Sequence, residues 1–208
     1  MKRCLFAFFA IFLLITVFSA CSSRPTVRRV EADTTVDLSG RWNDADARIV
    51  SNSLINDCLN SPRVSQFIQD YVSSNNGRLP ASLVGSFRND SSEHIDTAII
   101  TRAIEVAVVN SGKMDFVAGG DTREELRAER QEQQWNASEA TRAALRNETG
   151  ATLLLTGSIS SIVDQAGRDT VRSYFVTAEL TNIETNTRMW MGENSEIKKT
   201  IRQPMFRR

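Results

Sequence analysis

What this chain can fold into is limited first by its N-terminus. Met1, Lys2 and Arg3 give a short positive start, residues 5–18 form an almost unbroken apolar run, and Ser19-Ala20-Cys21 follows. A positive start, an apolar middle and small residues at the end make a secretory signal, which leaves the mature chain and takes no part in its fold. The run is shorter than the roughly 20 residues that a permanent membrane-spanning helix requires. Folding is therefore left to the residues from Cys21 onward.

Phe18-Ser19-Ala20-Cys21 is similar to the bacterial lipobox. Small side chains there suit the lipoprotein signal peptidase, and the thiol takes a diacylglyceryl group. Cys21 is thus the expected lipidation site, and the membrane is a partner through that lipid. Each buried CH₂ contributes about 0.8 kcal/mol, and more than one acyl chain is needed for a stable anchor. Ser22 follows the cysteine. The absence of Asp there favours the inner leaflet of the outer membrane, with the domain in the periplasm.

Of the three cysteines, Cys4 leaves with the signal and Cys21 carries the lipid, so Cys58 is the one remaining thiol. No intramolecular disulfide can form, and Cys58 on an amphipathic helix reads as a small core residue. The chain has 25 basic and 25 acidic residues; losing Lys2 and Arg3 leaves 23 against 25. A near-neutral chain with dispersed basic residues has no global field to draw nucleic acid.

Four segments are expected: residues 1–20 as signal, 21–39 as a polar lipidated tether, 40–199 as one domain, and 200–208 as part of a mobile basic tail that begins at Lys198. Fully extended, the tether spans on the order of 60 Å. Asp44 is a candidate N-cap for a helix through Leu59. Pro62 interrupts, leaving a turn or two within residues 64–72. Residues 79–87 read as a strand. Ile95, Ile99, Ile100, Ala103, Ile104, Ala107 and Val108 recur at helical spacing, with Gly112 as the stop. Residues 113–118 read as a short strand. Thr122-Arg123-Glu124-Glu125 fits a capping box before a very polar helix over residues 123–134. A second helix is expected from Asn136-Ala137-Ser138-Glu139 to Gly150. Residues 153–159, 172–181 and 188–197 read as three strands, the first two joined by a connector over 162–169. The order predicts an α+β fold: a two-layer sandwich of helices on a mixed sheet with a C-terminal antiparallel meander.

The search for chemistry finds no catalytic, cofactor or metal constellation. His94 is the single histidine and stands next to Glu93 and near Asp96. At a polar helix start it reads as a solvated or capping residue rather than a ligand. Thr156-Gly157-Ser158 lacks the second glycine of a nucleophile elbow. The Arg/Glu/Gln run over residues 123–134 reads as a solvated helix, or as a partner surface anchored by Trp135.

Several stretches occur in an order that points to a family. They are Asp37-Leu38-Ser39-Gly40-Arg41-Trp42-Asn43-Asp44, Val84-Gly85-Ser86-Phe87-Arg88-Asn89, Ser91-Ser92-Glu93-His94-Ile95-Asp96-Thr97 and Asn110-Ser111-Gly112-Lys113. Glu148-Thr149-Gly150-Ala151, Thr156-Gly157-Ser158-Ile159 and Leu180-Thr181-Asn182-Ile183-Glu184-Thr185, with Trp190, complete the set. Together these resemble the LpoB-type penicillin-binding-protein activator lipoproteins, from Asp37 to about Lys199. The resemblance implies a TolB N-terminal-like domain without catalytic residues. It implies a class A penicillin-binding protein as the partner, whose glycosyltransferase and transpeptidase activities it raises. A monomer without cofactor is expected, and no partner-contact residue carries over. Enterobacterial members have a long Pro-rich tether, whereas the one here is short. The same pattern also resembles the CsgG-type secretion lipoproteins, which would oligomerise.

Overall fold

The computed structural model describes residues 28–31, 34–144 and 147–204. The chain divides into two units, Met1–Thr34 and Thr35–Arg208. Residues 28–31 and Thr34 of the first have no regular secondary structure. The elements below belong to the second.

Helix α1 spans Asp44–Asn60. Asn43, not the expected Asp44, is its cap. The Asn43 side chain accepts from the Asp46 N–H at 3.1 Å, and the Asn43 N–H donates to the Asp46 carboxylate at 2.9 Å. This reciprocal box needs an acid three residues after the cap, which only Asn43 has. Ala47, Val50, Leu54 and Cys58 form its buried stripe. Helix α2 spans Pro62–Ser74 and is longer than expected. Pro62 opens it rather than breaking it, because a missing N–H costs nothing in the first turn.

Strand β1, Ala81–Asn89, leads to helix α3, Thr97–Ser111, which Asp96 caps. Gly112 ends α3 in the left-handed conformation at φ +62°, as its glycine predicts. A two-residue strand β2, Asp115–Phe116, precedes helix α4, Gly120–Asn136. Strands β3, Leu153–Ala166, β4, Asp169–Asn182, β5, Arg188–Asn194, and β6, Lys198–Arg202, complete the fold.

The sheet order is β2-β1-β3-β4-β5, with β6 beside β4. β1 runs parallel to β2 and β3, and the remaining pairs are antiparallel. Helices α1 and α3 pack together and lie on one face. Tyr174, Val176, Ala178 and Leu180 of β4 turn into that layer and are buried, while Phe175, Thr177 and Glu179 alternate onto the other face. The architecture is the α+β arrangement of helices on a mixed sheet that the sequence predicts. Gly157 permits one close approach: a Cβ there would meet the Phe87 ring and the Thr177 carbonyl oxygen.

Four local expectations are corrected. No helix forms over residues 137–144 or 147–150. That stretch has helix start and stop signals but few large apolar residues, and helices in proteins depend mostly on burying a face. The Thr122 capping box is absent; Gly119 is the cap and makes no side-chain bond. Thr122 lies too deep in the first turn to cap. The connector over 162–169 is mostly strand, and β3 and β4 meet at Gly167-Arg168, with Gly167 at φ +60°. Its polar residues hide a ladder made by backbone alone. Finally, residues 198–202 of the expected mobile tail form β6 against β4. Lys199 helps to hold it, as described next.

Candidate interaction surface

The residues singled out by sequence occupy separate places. Cys21 lies outside the described residues. Cys58 is fully buried in α1, and burial pushes its thiol pKa up to about 12, with the Asp57 charge adding. A thiol so held is protonated at neutral pH and inert. His94 is exposed. Its two acidic neighbours point to other tasks. Asp96 accepts from the Ala98 N–H at 3.0 Å and caps α3. Glu93 faces inward, where it accepts from the Tyr174 hydroxyl at 2.9 Å and the Trp42 N–H at 3.2 Å. It also pairs with Arg172. Among the described residues, no three His, Cys, Asp or Glu side chains converge as a metal site would require.

Sequence reasoning missed that inner cluster. Arg172 and Tyr174 sit two apart on the core face of β4, and the Trp42 ring meets the Tyr174 ring edge-on at 5.2 Å. Burial first, then the Glu93 carboxylate, raises the Tyr174 pKa above the ordinary phenol value, so it stays a donor. A second missed cluster ties the domain's entry to its last strand. Lys199 Nζ donates to Asp37 and Asp46, each at 2.6 Å, and to the Arg41 carbonyl at 3.0 Å. Burial works to lower the Lys199 pKa, but the two carboxylates outweigh it and hold it above the usual lysine value. The only signal for either cluster was an isolated charge inside a strand. Both are scaffolding: they fasten the segment that leads into α1 to the rest of the domain and leave no reactive group open.

Helix α4 has the opposite character, since none of its residues is buried. Its charges separate by face. Arg127 grips Glu148 with two bonds of 2.9 and 3.1 Å, and Arg130 reaches the same carboxylate at 3.1 Å. Arg123 donates to the Ala118 carbonyl at 2.9 Å. Gln134 donates to the Ala143 carbonyl at 2.8 Å, and Gln133 accepts from the Ala143 N–H at 2.9 Å. The Arg127 bond, with the charges of Arg130 and Arg123, holds the Glu148 pKa below the usual carboxylate range. At 100° per residue these groups share one side of the helix. The other side carries Asp121, Glu125, Ala128, Glu132 and Trp135, all exposed, Trp135 to 86%. The cations are thus spent on fastening the helix, and the acids and the indole face out. A large exposed aromatic is the residue type that most often anchors a protein contact.

The uncovered face of the sheet offers a second surface. A groove of about 650 Å³ is lined by Ser86, Arg88, Thr156, Ser158, Thr177 and Glu179. Its charges are already paired, Arg88 with Asp90 at 2.8 Å and Glu179 with Arg188 at 3.0 Å. What remains is hydroxyls beside the Phe87 ring and the exposed Met191: a mixed polar and apolar binding surface without a nucleophile and base in reach of each other.

Non-catalytic surfaces on a two-layer scaffold are what a binding protein requires, and the sequence comparison says which kind. The family described as peptidoglycan-synthase activator LpoB matches residues 46–195. This chain belongs to the LpoB family. It is a synthase activator and not itself an enzyme, in a family of envelope lipoproteins. Among solved structures, the LpoB C-terminal domain from Escherichia coli is 18% identical, over 76% of this chain and 99% of that one, with a TM-score of 0.44. The NMR structure of E. coli LpoB is 15% identical over 88% and 84%, at 0.41. Lipoprotein GNA1162 from Neisseria meningitidis is 12% identical over 58% and 83%, at 0.38. No curated protein matches the sequence. Family membership rests on the sequence match. No helix among the described residues is long and apolar enough to cross a membrane.

Proposed function

We propose that this LpoB-family chain is an outer-membrane lipoprotein, anchored through Cys21, that binds a class A penicillin-binding protein and stimulates it. The family match over residues 46–195 carries the reading. The lipobox-like Phe18-Ser19-Ala20-Cys21 supports the anchor. The outward face of α4, ending in Trp135, supports a protein contact.

Asn43 Nδ2 donates to the Val36 carbonyl at 3.3 Å and to Asp37 at 2.7 Å, so the domain already holds the chain there. Fully extended, a 14-residue segment such as 22–35 would reach at most on the order of 50 Å at about 3.3–3.6 Å per residue. The domain would then begin within that distance of the anchoring membrane, and the synthase would have to meet it there.

The test uses lipidated protein and the organism's class A synthases in a reconstituted glycan-polymerisation assay. Stimulation is expected with at least one synthase. Trp135→Ala should keep the fold and weaken the complex by about tenfold or more, as loss of an aromatic anchor does. No binding and no rate change with any class A synthase would overturn the reading. A Cys21→Ser chain should lose the membrane and keep activity in solution.

A further inference from the structure

The far halves of β3 and β4, with β6, form a three-stranded ribbon that runs past the end of β1. β1 pairs with β3 only as far as Asn89 opposite Ile159, and the Asp90 N–H then donates to the Ile159 carbonyl at 2.8 Å. Beyond that point residues 160–166 are paired with β4 alone.

The register decides which backbone groups are spare. The Tyr174 N–H donates to the Ile197 carbonyl and the Asn182 N–H to the Thr187 carbonyl. Even-numbered residues of β4 therefore turn their backbone toward β5 and β6, and odd-numbered ones toward β3. The β3 residues opposite those odd positions are even: Ser160 faces Phe175, Ile162 faces Ser173, and Asp164 faces Val171. Ser161, Val163 and Gln165 are left with N–H and C=O directed away from β4, and among the described residues no hydrogen bond reaches them. Ile162 is 61% exposed and Val163 43%, on opposite faces of the strand.

Natural edge strands are usually blunted by charged side chains, lysine above all, by proline or by a bulge. This one has no lysine, proline or bulge and a single charge. Its register is unbroken from Leu153 to Ala166, and Asp164 is the one charge in residues 160–166. A continuous row of spare donors and acceptors flanked by two exposed β-branched side chains is a template for an added strand.

We propose that the free edge of β3 at residues 161–165 takes up an extended segment of the partner protein as an added β-strand. The proposal rests on the reading that the partner is a class A synthase. Main-chain bonds to Ser161, Val163 and Gln165 supply the pairing. Ile162 and Val163 select apolar side chains on the two faces of the incoming strand, and Asp164 selects a basic residue beside them. A second copy of this chain fits less well. Two such edges would pair around Val163 with five residues a side, far short of the roughly 1,000 Å² that a stable interface of its own needs. A segment that belongs to a larger contact has no such requirement.

The test follows amide exchange, residue by residue, in the full-length lipidated protein in detergent micelles, alone and with purified synthase. Alone, the Ser161, Val163 and Gln165 amides should exchange fast and those of Ile162 and Asp164, bonded to β4, slowly. With synthase, the three odd-numbered amides should slow by about tenfold or more, and the even ones should change little. A complex that forms without this alternating protection overturns the inference and leaves the functional reading standing. Absence of any complex overturns both. Val163→Pro removes only the outward N–H, which an edge position tolerates. It should keep the native circular dichroism and weaken the synthase complex by about tenfold; undiminished affinity overturns the proposal. A dimer in sedimentation that Val163→Pro dissolves, with synthase binding unchanged, assigns the edge to a second copy and overturns it as well. Should the proline variant not fold, the exchange pattern of the unaltered chain still decides.

Discussion

Helices α1 and α4 are each 17 residues long and have nothing else in common. α1 buries nine residues and is closed by a reciprocal capping box. α4 buries none, has no side-chain cap, and is fastened to Glu148 and the loop around Ala143 by polar contacts. One helix exists because its apolar stripe completes the core. The other is displayed by the core without joining it. Packing makes a helix stable, whereas a helix held by exposed ion pairs gains little stability and keeps a whole face free for a partner.

The comparison breaks most sharply under truncation of equivalent leucines. Leu54→Ala in α1 should cost about 3 kcal/mol, because Leu54 is almost fully buried and its removal leaves a cavity. Leu126→Ala in α4, nearly half exposed, should stay within about 0.5 kcal/mol. Urea unfolding of both variants measures the difference; equal losses would mean that α4 packs as α1 does.

A smaller effect is expected at the caps. Asn43→Ala removes the side chain that receives the Asp46 N–H and should cost about 1 kcal/mol. α4 has no such side-chain bond to lose at Gly119. Thermal unfolding of Asn43→Ala beside the unaltered protein measures what the α1 cap contributes.

The smallest effect on global stability comes from acid. The Glu148 pKa lies below its ordinary value because of Arg127. Its contribution is present above the ordinary carboxylate pKa of about 4.3 and is lost as pH falls through the lower folded value. Amide protection in α4, taken relative to the intrinsic exchange rate at each pH, should therefore hold steady from pH 7 to about 5 and fall in stronger acid. Glu148→Gln should lower it already at pH 7. Exchange in α1 on the same samples is the reference, and parallel quickening of both helices at pH 7 would remove the distinction.

Much of the scaffold was legible from periodicity. The α3 stripe, the Gly112 stop and the β4 alternation are local patterns, and each side chain's environment follows from its place in the repeat. The α4 region was legible as polar but not as clamped. Nothing near residue 127 indicates Glu148, which lies beyond a loop. The length of β3 was misjudged for a related reason: Asp164, Gln165 and Ala166 carry loop-like side chains, yet their backbone pairs with β4 regardless of them. The inner Glu93–Arg172 pair escaped notice because its members lie far apart in sequence and look like ordinary surface charges.

By itself the sequence determined the helix-on-mixed-sheet class and the family, and it supplied the expectation of an export signal that ends at Cys21. These depend on composition, on repeats within a few residues, and on motifs in a fixed order. Only the tertiary structure decided that Lys199 draws the chain's entry onto β6, that the α4 arginines turn inward and leave Trp135 on an acidic face, and that β3 outruns β1 to expose Ser161, Val163 and Gln165. Each of these joins residues distant in the chain, or depends on where one strand stops beside another. Neither spacing nor residue type encodes that; the packing of the whole domain sets it.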